Sequence, residues 1–485
     1  MLSFKSLSKP RLHRNLNRHG GRRRIVGVLC IHVSLCVAAL DLTRASEAVQ
    51  STPETKLSGD ENRPAGNPTG QRGLPELDTD ATVGEYRLFA ALNNPGLEAL
   101  YLDWQAALQR VPQARALPEP QFSYSEFLVE VETRVGPQER KFGLRQKFPW
   151  FGTLSLRGEI EEETARVAWQ KLLAAQLALD YQVRLSHADY YYLSRSLVVT
   201  RENVALLRRL ESVARQKLAA GADNHPGLIR LQIEVGKLED HLKTLEDRQR
   251  PLSARLNSLL GRPREAPIPW PSSLEVGAEF PPDEELFRFV EQNNPELTAL
   301  QHRMRRSELG KKLAGKAYYP DFALGVETID TGSALAPNTR GSGDDPWMIT
   351  FSVELPIWYS SYRAREREAE ARLRSDRQRH ADTRNRLRSD LELALYNRRD
   401  ALRRMSLHGG TLIPKSEQSL RSTEAAYRAG HSDFLDLIDA QRVLLEFQLA
   451  VERANADRVK SEASIDRLVG RFVIDYPRER EELVP

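Results

Sequence analysis

The sequence predicts a mainly helical protein with a small β-sheet portion, built from two similar halves. The first observation is an internal repeat, because Asn93-Asn94-Pro95 returns 200 residues later as Asn293-Asn294-Pro295. The others are two very long segments of helix-forming residues and four segments of alternating polarity. A period near 200 residues is far longer than the roughly 20 to 50 residues of solenoid repeats. One duplicated module with two strands per copy is therefore predicted.

The repeat continues through the rest of each copy. Each copy has the order short helix, two strands, long helix, Gly turn and returning helix, which predicts a first structural repeat at 79–270 and a second at 271–470. The matching motifs are Phe148-Pro149-Trp150 with Leu355-Pro356-Ile357, Ala220-Gly221 with Ala429-Gly430, and Leu259-Leu260-Gly261 with Leu468-Val469-Gly470.

Composition favours long solvated helices over several compact cores, since 28% of residues are charged and 7% are aromatic. The formal charge of +4 comes from the N-terminus, where the first 45 residues hold nine of the 71 Lys/Arg and one of the 67 Asp/Glu. The remainder has 62 basic and 66 acidic residues, a net charge of −4. No nucleic-acid partner is expected.

Residues 1–45 are predicted to be a signal peptide, because a basic segment precedes the apolar run Ile25–Leu40 and a small-residue exit. A retained N-terminal anchor is the alternative, since the apolar run of a signal peptide and a membrane-spanning helix overlap in length. Cys30 and Cys36 both lie in the apolar run, so the mature protein is predicted to have neither a disulfide nor a lipid anchor. A disordered linker is predicted at 46–78 and a polar tail at 471–485.

Four strands are predicted, at about 120–149 and about 319–357. Residues 347–355 and 322–326 alternate apolar and polar side chains, as do residues 142–148, whereas 122–131 are less regular. A hairpin packed on a soluble core is the alternative for each pair. Strands of about ten residues suit a bilayer, however. Aromatic residues follow each pair, as at a membrane interface; they are Trp150, Phe151, Trp358 and Tyr359.

Four strands are too few to enclose a barrel interior, which needs about eight. An open sheet edge cannot face lipid, because its backbone groups would lack hydrogen bonds. Several copies must therefore share one barrel in the membrane, which predicts a cyclic homo-oligomer.

The long helices are predicted at 152–219 and 360–428. At about 1.5 Å per residue the first spans on the order of 100 Å, and its apolar residues from Leu179 onward have coiled-coil spacing. The second is interrupted at Gly409-Gly410 and Pro414, which predicts a kink or local unwinding. Each module should then turn at a tip, with Gly221 and Gly430 as C-caps and Asn224 and Ser432 as N-caps.

The second tip resembles that of the TolC-type outer-membrane factors. The resemblance is carried by Tyr427–Gly430, by Leu435–Gln441 and by the strand exits at Pro149 and Pro356, and it extends over roughly residues 80–470. Within the first copy, Glu234–Pro263 is most similar to the branch associated with heavy-metal cation efflux.

This resemblance implies a homotrimer in the outer membrane of a Gram-negative-type cell. Three chains would form a twelve-stranded barrel that continues into an α-helical tunnel across the periplasm. Such a protein is the passive exit duct of a tripartite efflux pump or a type I secretion system. Its partners would be a periplasmic adaptor, an inner-membrane transporter and outer-membrane lipid.

The resemblance also assigns the aperture. Asp436 and Asp439 match aspartates at the narrow periplasmic entrance, where three chains would give two carboxylate rings that attract cations. The alternative is ordinary stabilisation of a helix N-terminus by acidic side chains. Tyr427 matches a tyrosine that helps hold the entrance closed, but Ser432 replaces the arginine partner found in some members.

Other chemical motifs are incomplete. Gly310–Ala317 approaches a phosphate-binding loop, but it lacks the metal-binding hydroxyl and a preceding strand, so a surface helix is expected. His225 and His431 lie in the tip turns without metal-site spacing. We therefore predict no catalytic residue, metal or cofactor. A periplasmic coiled-coil scaffold that never inserts, or a barrel enzyme, are the alternative functions.

Overall fold

The computed structural model describes residues 81–219, 225–274 and 279–471. The predicted signal peptide and linker, Gly221, Asn224 and almost all of the tail lie outside these ranges. The described residues form these elements: α1 Val83–Asn93, α2 Pro95–Leu108, α3 Arg110–Arg115, β1 Gln121–Thr133, β2 Gly136–Phe148, α4 Thr153–Ala219, α5 His225–Asp247, α6 Gln249–Leu260, α7 Asp283–Asn293, α8 Pro295–Lys316, β3 Asp321–Thr331, β4 Trp347–Glu354, α9 Tyr359–Leu407, a π-helix His408–Leu412, α10 Ile413–Arg428 and α11 Phe434–Val469.

The repeated Asn-Asn-Pro motif joins the start of each repeat to its end. Asn94 accepts a hydrogen bond from the Gly96 amide at 2.9 Å, which caps α2, and its amide donates to the Leu259 carbonyl at 3.1 Å. Asn294 caps α8 in the same way, and its amide donates to the Leu468 carbonyl at 2.8 Å. One side chain thus satisfies orphan groups at two helix ends.

The repeated glycines complete the same joint. Gly261 ends α6 at φ 68° and Gly470 ends α11 at φ 72°, a backbone conformation that favours glycine. A Cβ on Gly470 would lie 2.5 Å from the Asn293 carbonyl oxygen, and one on Gly261 would lie 2.7 Å from that of Asn93. The repeated motifs therefore form the same contact twice, between the Asn-Asn-Pro turn and the glycine that ends the repeat. This contact is called the packing joint below.

The four strands form one antiparallel sheet in the order β1-β2-β3-β4, so the pair β2–β3 joins the two repeats. One register row places Phe122, Leu144, Val326 and Ile349 side by side. On the opposite face the Lys141 ammonium lies 2.6 Å from the Glu327 carboxylate. The alternation predicted from sequence therefore gives one apolar and one polar face, and the fold is mainly helical with four antiparallel strands.

The long helix α4 is the centre of the helical part. It packs against α8 and α11 and against the returning helices α5 and α6 of its own repeat. Its predicted coiled-coil positions Val183, Tyr190 and Leu207 are buried, so burial of this stripe supports a helix of 67 residues. Within the described ranges, no helix is both long and apolar enough to cross a membrane.

The predicted interruption of the second long helix is a π-helix at His408–Leu412. Pro414 in the first turn of α10 has no N–H for the carbonyl four residues earlier. The adjacent Gly409 and Gly410 favour helix weakly. A π-bulge accommodates the missing hydrogen bond without ending the helix.

Two other expectations meet different outcomes. The phosphate-loop-like segment at 310–317 lies in α8 and at its end, so it is helical as expected. The returning helix expected in the first repeat is interrupted at one residue, Arg248, between α5 and α6. Pro251 lacks the N–H that would bond the Asp247 carbonyl in a continuous helix.

Candidate functional site

The tip, defined here as the ends of α4 and α10 with the starts of α5 and α11, has one shared core. Its buried residues come from both repeats, so the two helical hairpins of one chain pack together there. They are Leu207, Leu210, Ala214, Leu231, Val235, Leu420, Tyr427, Phe434, Leu437, Ile438 and Leu444.

Tyr427 lies inside this core with 3% of its surface exposed. Its ring contacts Phe434 edge-on with centroids 5.2 Å apart, and the Lys217 ammonium lies 4.2 Å from the ring centroid. Lys217 also donates to the Tyr427 carbonyl. Tyr427 therefore holds α10 against α4 and α11 of the same chain.

Asp436 and Asp439 lie one turn apart on the exposed face of α11. The Asp439 side chain is 72% exposed, and a guanidinium nitrogen of Arg442 lies 3.3 Å from it. Asp436 accepts a hydrogen bond from the Ser432 hydroxyl at 2.8 Å. Two carboxylates thus project from the tip near the positive end of the helix dipole.

The turn before α11 differs from expectation in one residue. Ser432 was predicted as the N-cap, but Asp433 holds that position, and its carboxylate accepts from the Phe434 amide at 2.6 Å. Gly430 has φ 82°, and the His431 amide donates to the Ala426 carbonyl at 2.9 Å, so the predicted glycine stop of α10 is confirmed.

An ion pair missed by sequence reasoning joins the two hairpins next to the tip. Arg442 of α11 donates to the Glu234 carboxylate of α5 at 2.6 and 3.0 Å. These hydrogen bonds lower the pKa of Glu234 below its usual value, although burial opposes the shift. No local pattern indicates the pair, since the partners are 208 residues apart.

The predicted interface aromatics lie where strands give way to helices. Trp150 stacks on Tyr319 with centroids 5.0 Å apart, and its amide donates to Asp321 at 2.9 Å. Phe151, Trp358 and Tyr359 are all more than half exposed. Exposed aromatics at strand ends are typical of a membrane interface, and that role of these residues stays a prediction. In the part of the chain described, no group of three or more His, Cys, Asp or Glu residues could hold a metal ion.

A family model described as outer membrane efflux protein matches residues 287–471. Over these residues the chain belongs to the outer membrane efflux protein family. As a member of this family it is an efflux channel of the outer membrane that reaches into the periplasm, and it is not an enzyme. The family implies a trimeric channel in a tripartite system.

Relatives of this outer membrane efflux protein match most of its length. Nodulation protein T of Rhizobium leguminosarum bv. trifolii is 22% identical over 76% of the chain and 80% of that protein. The cobalt-zinc-cadmium resistance protein CzcC of Cupriavidus metallidurans is 22% identical over 83% of the chain and 94% of that protein. The solved structure of VceC from Vibrio cholerae matches with a TM-score of 0.68 and 15% identity, over 80% of this chain and 96% of that one.

Proposed function

We propose that three copies of this chain form a passive exit duct for a tripartite efflux pump or a type I secretion system. A periplasmic adaptor and an inner-membrane transporter would supply cargo and energy. The duct itself would conduct solutes across the periplasm and the outer membrane.

One observation carries this proposal. The sheet has an apolar face that continues across all four strands, while β1 and β4 each pair with one strand among the described residues. The free edges of β1 and β4 cannot face lipid, because their backbone N–H and C=O groups would lack hydrogen-bond partners there. Pairing of β4 with β1 of the next copy would close the ring and satisfy both edges.

The experiment is extraction of the membrane-expressed chain in detergent, followed by gel migration with and without heating and by conductance in planar bilayers. A heat-sensitive trimer that forms stable single channels supports the duct. Recovery as a water-soluble periplasmic protein without conductance would favour the scaffold alternative.

At the tip, Asp436 and Asp439 are proposed as the carboxylate rings of the periplasmic entrance. Their exposure on one face of α11 supports this role, because three symmetry-related copies would focus a negative potential on the axis. Tyr427, Gly430 and Ser432 are proposed to shape the tip turn around them. The Glu234–Arg442 pair would hold the two hairpins together when the entrance is narrow.

Heavy-metal cations are the cargo to test first. The similarity to CzcC and the resemblance of Glu234–Pro263 to the metal-efflux branch support this choice. Growth of a deletion strain against a panel of divalent metals, drugs and detergents tests it. Sensitivity to drugs alone would argue against a metal cargo.

A further inference from the structure

A groove of about 1060 Å³ lies where the helices meet the strands. Residues of α3, α4, α8, α9 and the end of β4 line this junction groove. The helices form a row in which α3 packs on α4, α4 on α8 and α8 on α9. Asp321 and Glu354, which line the groove, are register partners on the polar face of the sheet. If three copies close into a duct with the apolar face of the sheet toward lipid, as proposed above, the groove borders the lumen.

The groove carries more positive than negative side chains, with six cations and four carboxylates in its lining. Three of the carboxylates already have partners. Lys147 lies 3.3 Å from Asp321 and 2.7 Å from Glu354. Arg372 lies 2.5 Å from Glu368, one helical turn away.

Four arginines of the groove have no carboxylate partner among the described residues: Arg110, Arg157, Arg306 and Arg365. They come from four different helices and share one space, which the small residues Gly310 and Ala314 leave open. Several arginines elsewhere on α9 pair along the helix, as Arg374 does with Glu370 at 2.7 Å. The groove therefore differs from an ordinary solvated face, where charges alternate and cancel.

We propose that the junction groove is a binding site for multivalent anions, such as solutes with several carboxylate or phosphate groups. Guanidinium groups bind these groups through paired, charge-assisted hydrogen bonds. Four arginines in each of three copies would surround one section of the lumen, where low-dielectric walls focus their potential.

This site has the opposite sign to the aspartates of the tip. The two zones are separated by most of the length of α4, roughly 90 Å at 1.5 Å per residue. A bare divalent cation is favoured at the tip and disfavoured at the groove. Cargo that carries anionic groups is retained at the groove.

The test is a triple variant, Arg157→Gln with Arg306→Gln and Arg365→Gln, reconstituted in planar bilayers. The matched control is Arg305→Gln with Arg367→Gln and Arg374→Gln, which removes the same charge from α8 and α9 outside the groove lining. Reversal potentials in a KCl gradient give the ratio of K⁺ to Cl⁻ permeability. Inorganic pyrophosphate on the barrel side is the anionic probe.

The groove variant should raise the K⁺ to Cl⁻ permeability ratio roughly threefold. It should weaken the pyrophosphate block by about tenfold, whereas the control behaves as the wild type. Equal effects of both triples, or none, with intact channels would overturn the site and leave the duct standing. Absence of any wild-type conductance would overturn the duct and the site with it. If the triple does not assemble, the exposed Arg365→Gln alone must still weaken the block.

Discussion

Arg442 on α11 donates from Nε and Nη2 to the carboxylate of Glu234 on α5, at 3.0 and 2.6 Å. The pair links the two helical hairpins of one chain beside the tip core. Because Glu234 is 19% exposed, removal of its partner leaves a largely covered carboxylate without its main hydrogen bonds.

We expect Arg442→Gln to favour the open entrance. A partly exposed pair contributes about 0.2–1 kcal/mol, so the closed-to-open equilibrium should shift by at most about fivefold for each chain. Mean single-channel conductance measures it. Arg421→Gln is the control, since Arg421 pairs with Glu417 within α10. A lower conductance in Arg442→Gln would show that the pair does not restrain opening.

The same pair predicts a dependence on pH. Hydrogen bonds from Arg442 lower the folded-state pKa of Glu234 below its ordinary value of 4.5. The link is therefore fully present above pH 4.5 and is lost as the pH falls through the depressed pKa. Conductance should rise on acidification below about pH 4.5 in the wild type and change less in Glu234→Gln. A transition between pH 6 and 8 would exclude Glu234 as its source.

Much of the fold was predictable because its signals are local. Alternation at 347–355 gives β4, and uninterrupted helix formers give α4. The sequence shows the Asn-Asn-Pro and glycine motifs as a repeat but does not show their contact with each other, since about 165 residues separate Asn94 from Leu259. Spacing alone does not say which repeated elements touch.

The site was less predictable for the same reason. The exposure of Asp436 and Asp439 can be predicted, because both lie between the apolar residues that recur with helical spacing in α11. The Glu234–Arg442 and Lys217–Tyr427 contacts cannot be predicted in this way, because they join residues more than 200 positions apart. The misassigned cap also has a local reason. Ser432 and Asp433 are both good N-cap residues, and burial of Phe434 as the first helical residue selects Asp433.

Neutralising the tip carboxylates should change selectivity in the opposite direction to the groove arginines. Asp436→Asn with Asp439→Asn should lower the K⁺ to Cl⁻ permeability ratio by roughly two- to fivefold, because six carboxylates leave the entrance of a trimer. Reversal potentials in a KCl gradient measure the ratio. Asp247→Asn, on an exposed part of α5, is the control. An unchanged ratio in the double variant would remove both residues from the aperture.

A substitution in the π-helix should make this part of the second long helix stiffer. An added Cβ on Gly410 meets nothing within 4 Å, so Gly410→Ala should strengthen the helix by about 0.5–1 kcal/mol. If α10 bends relative to α9 at this point when the entrance opens, channel openings should become rarer while thermal stability rises. Gly315→Ala in α8, also unobstructed, should raise stability alone. Equal gating in both variants would place the bend elsewhere.

The packing joint of each repeat predicts a destabilising variant. Gly470→Ala forces a Cβ against the Asn293 carbonyl oxygen in a left-handed conformation, which should lower the free energy of unfolding by at least about 1–2 kcal/mol. Asn294→Ala should lower it by about 1–3 kcal/mol, because the Leu468 carbonyl loses its donor. Heat dissociation of the trimer on gels reports both. If Gly470→Ala and Asn294→Ala were as stable as Gly315→Ala, the packing joint would accommodate these changes without loss of stability.

Buried His187 predicts a second dependence on pH, this time of stability. Burial lowers its pKa to about 4 from 6.5, and its ring lies 5.5 Å from that of Tyr86, between centroids. The unfolded chain binds a proton that the folded chain excludes, so stability falls as the pH drops from 6.5 towards 4. The loss should reach up to about 3 kcal/mol per chain. His187→Phe should flatten this slope in thermal unfolding, whereas exposed His241→Gln should leave it intact. Parallel slopes in wild type and His187→Phe would mean that other groups cause the acid sensitivity.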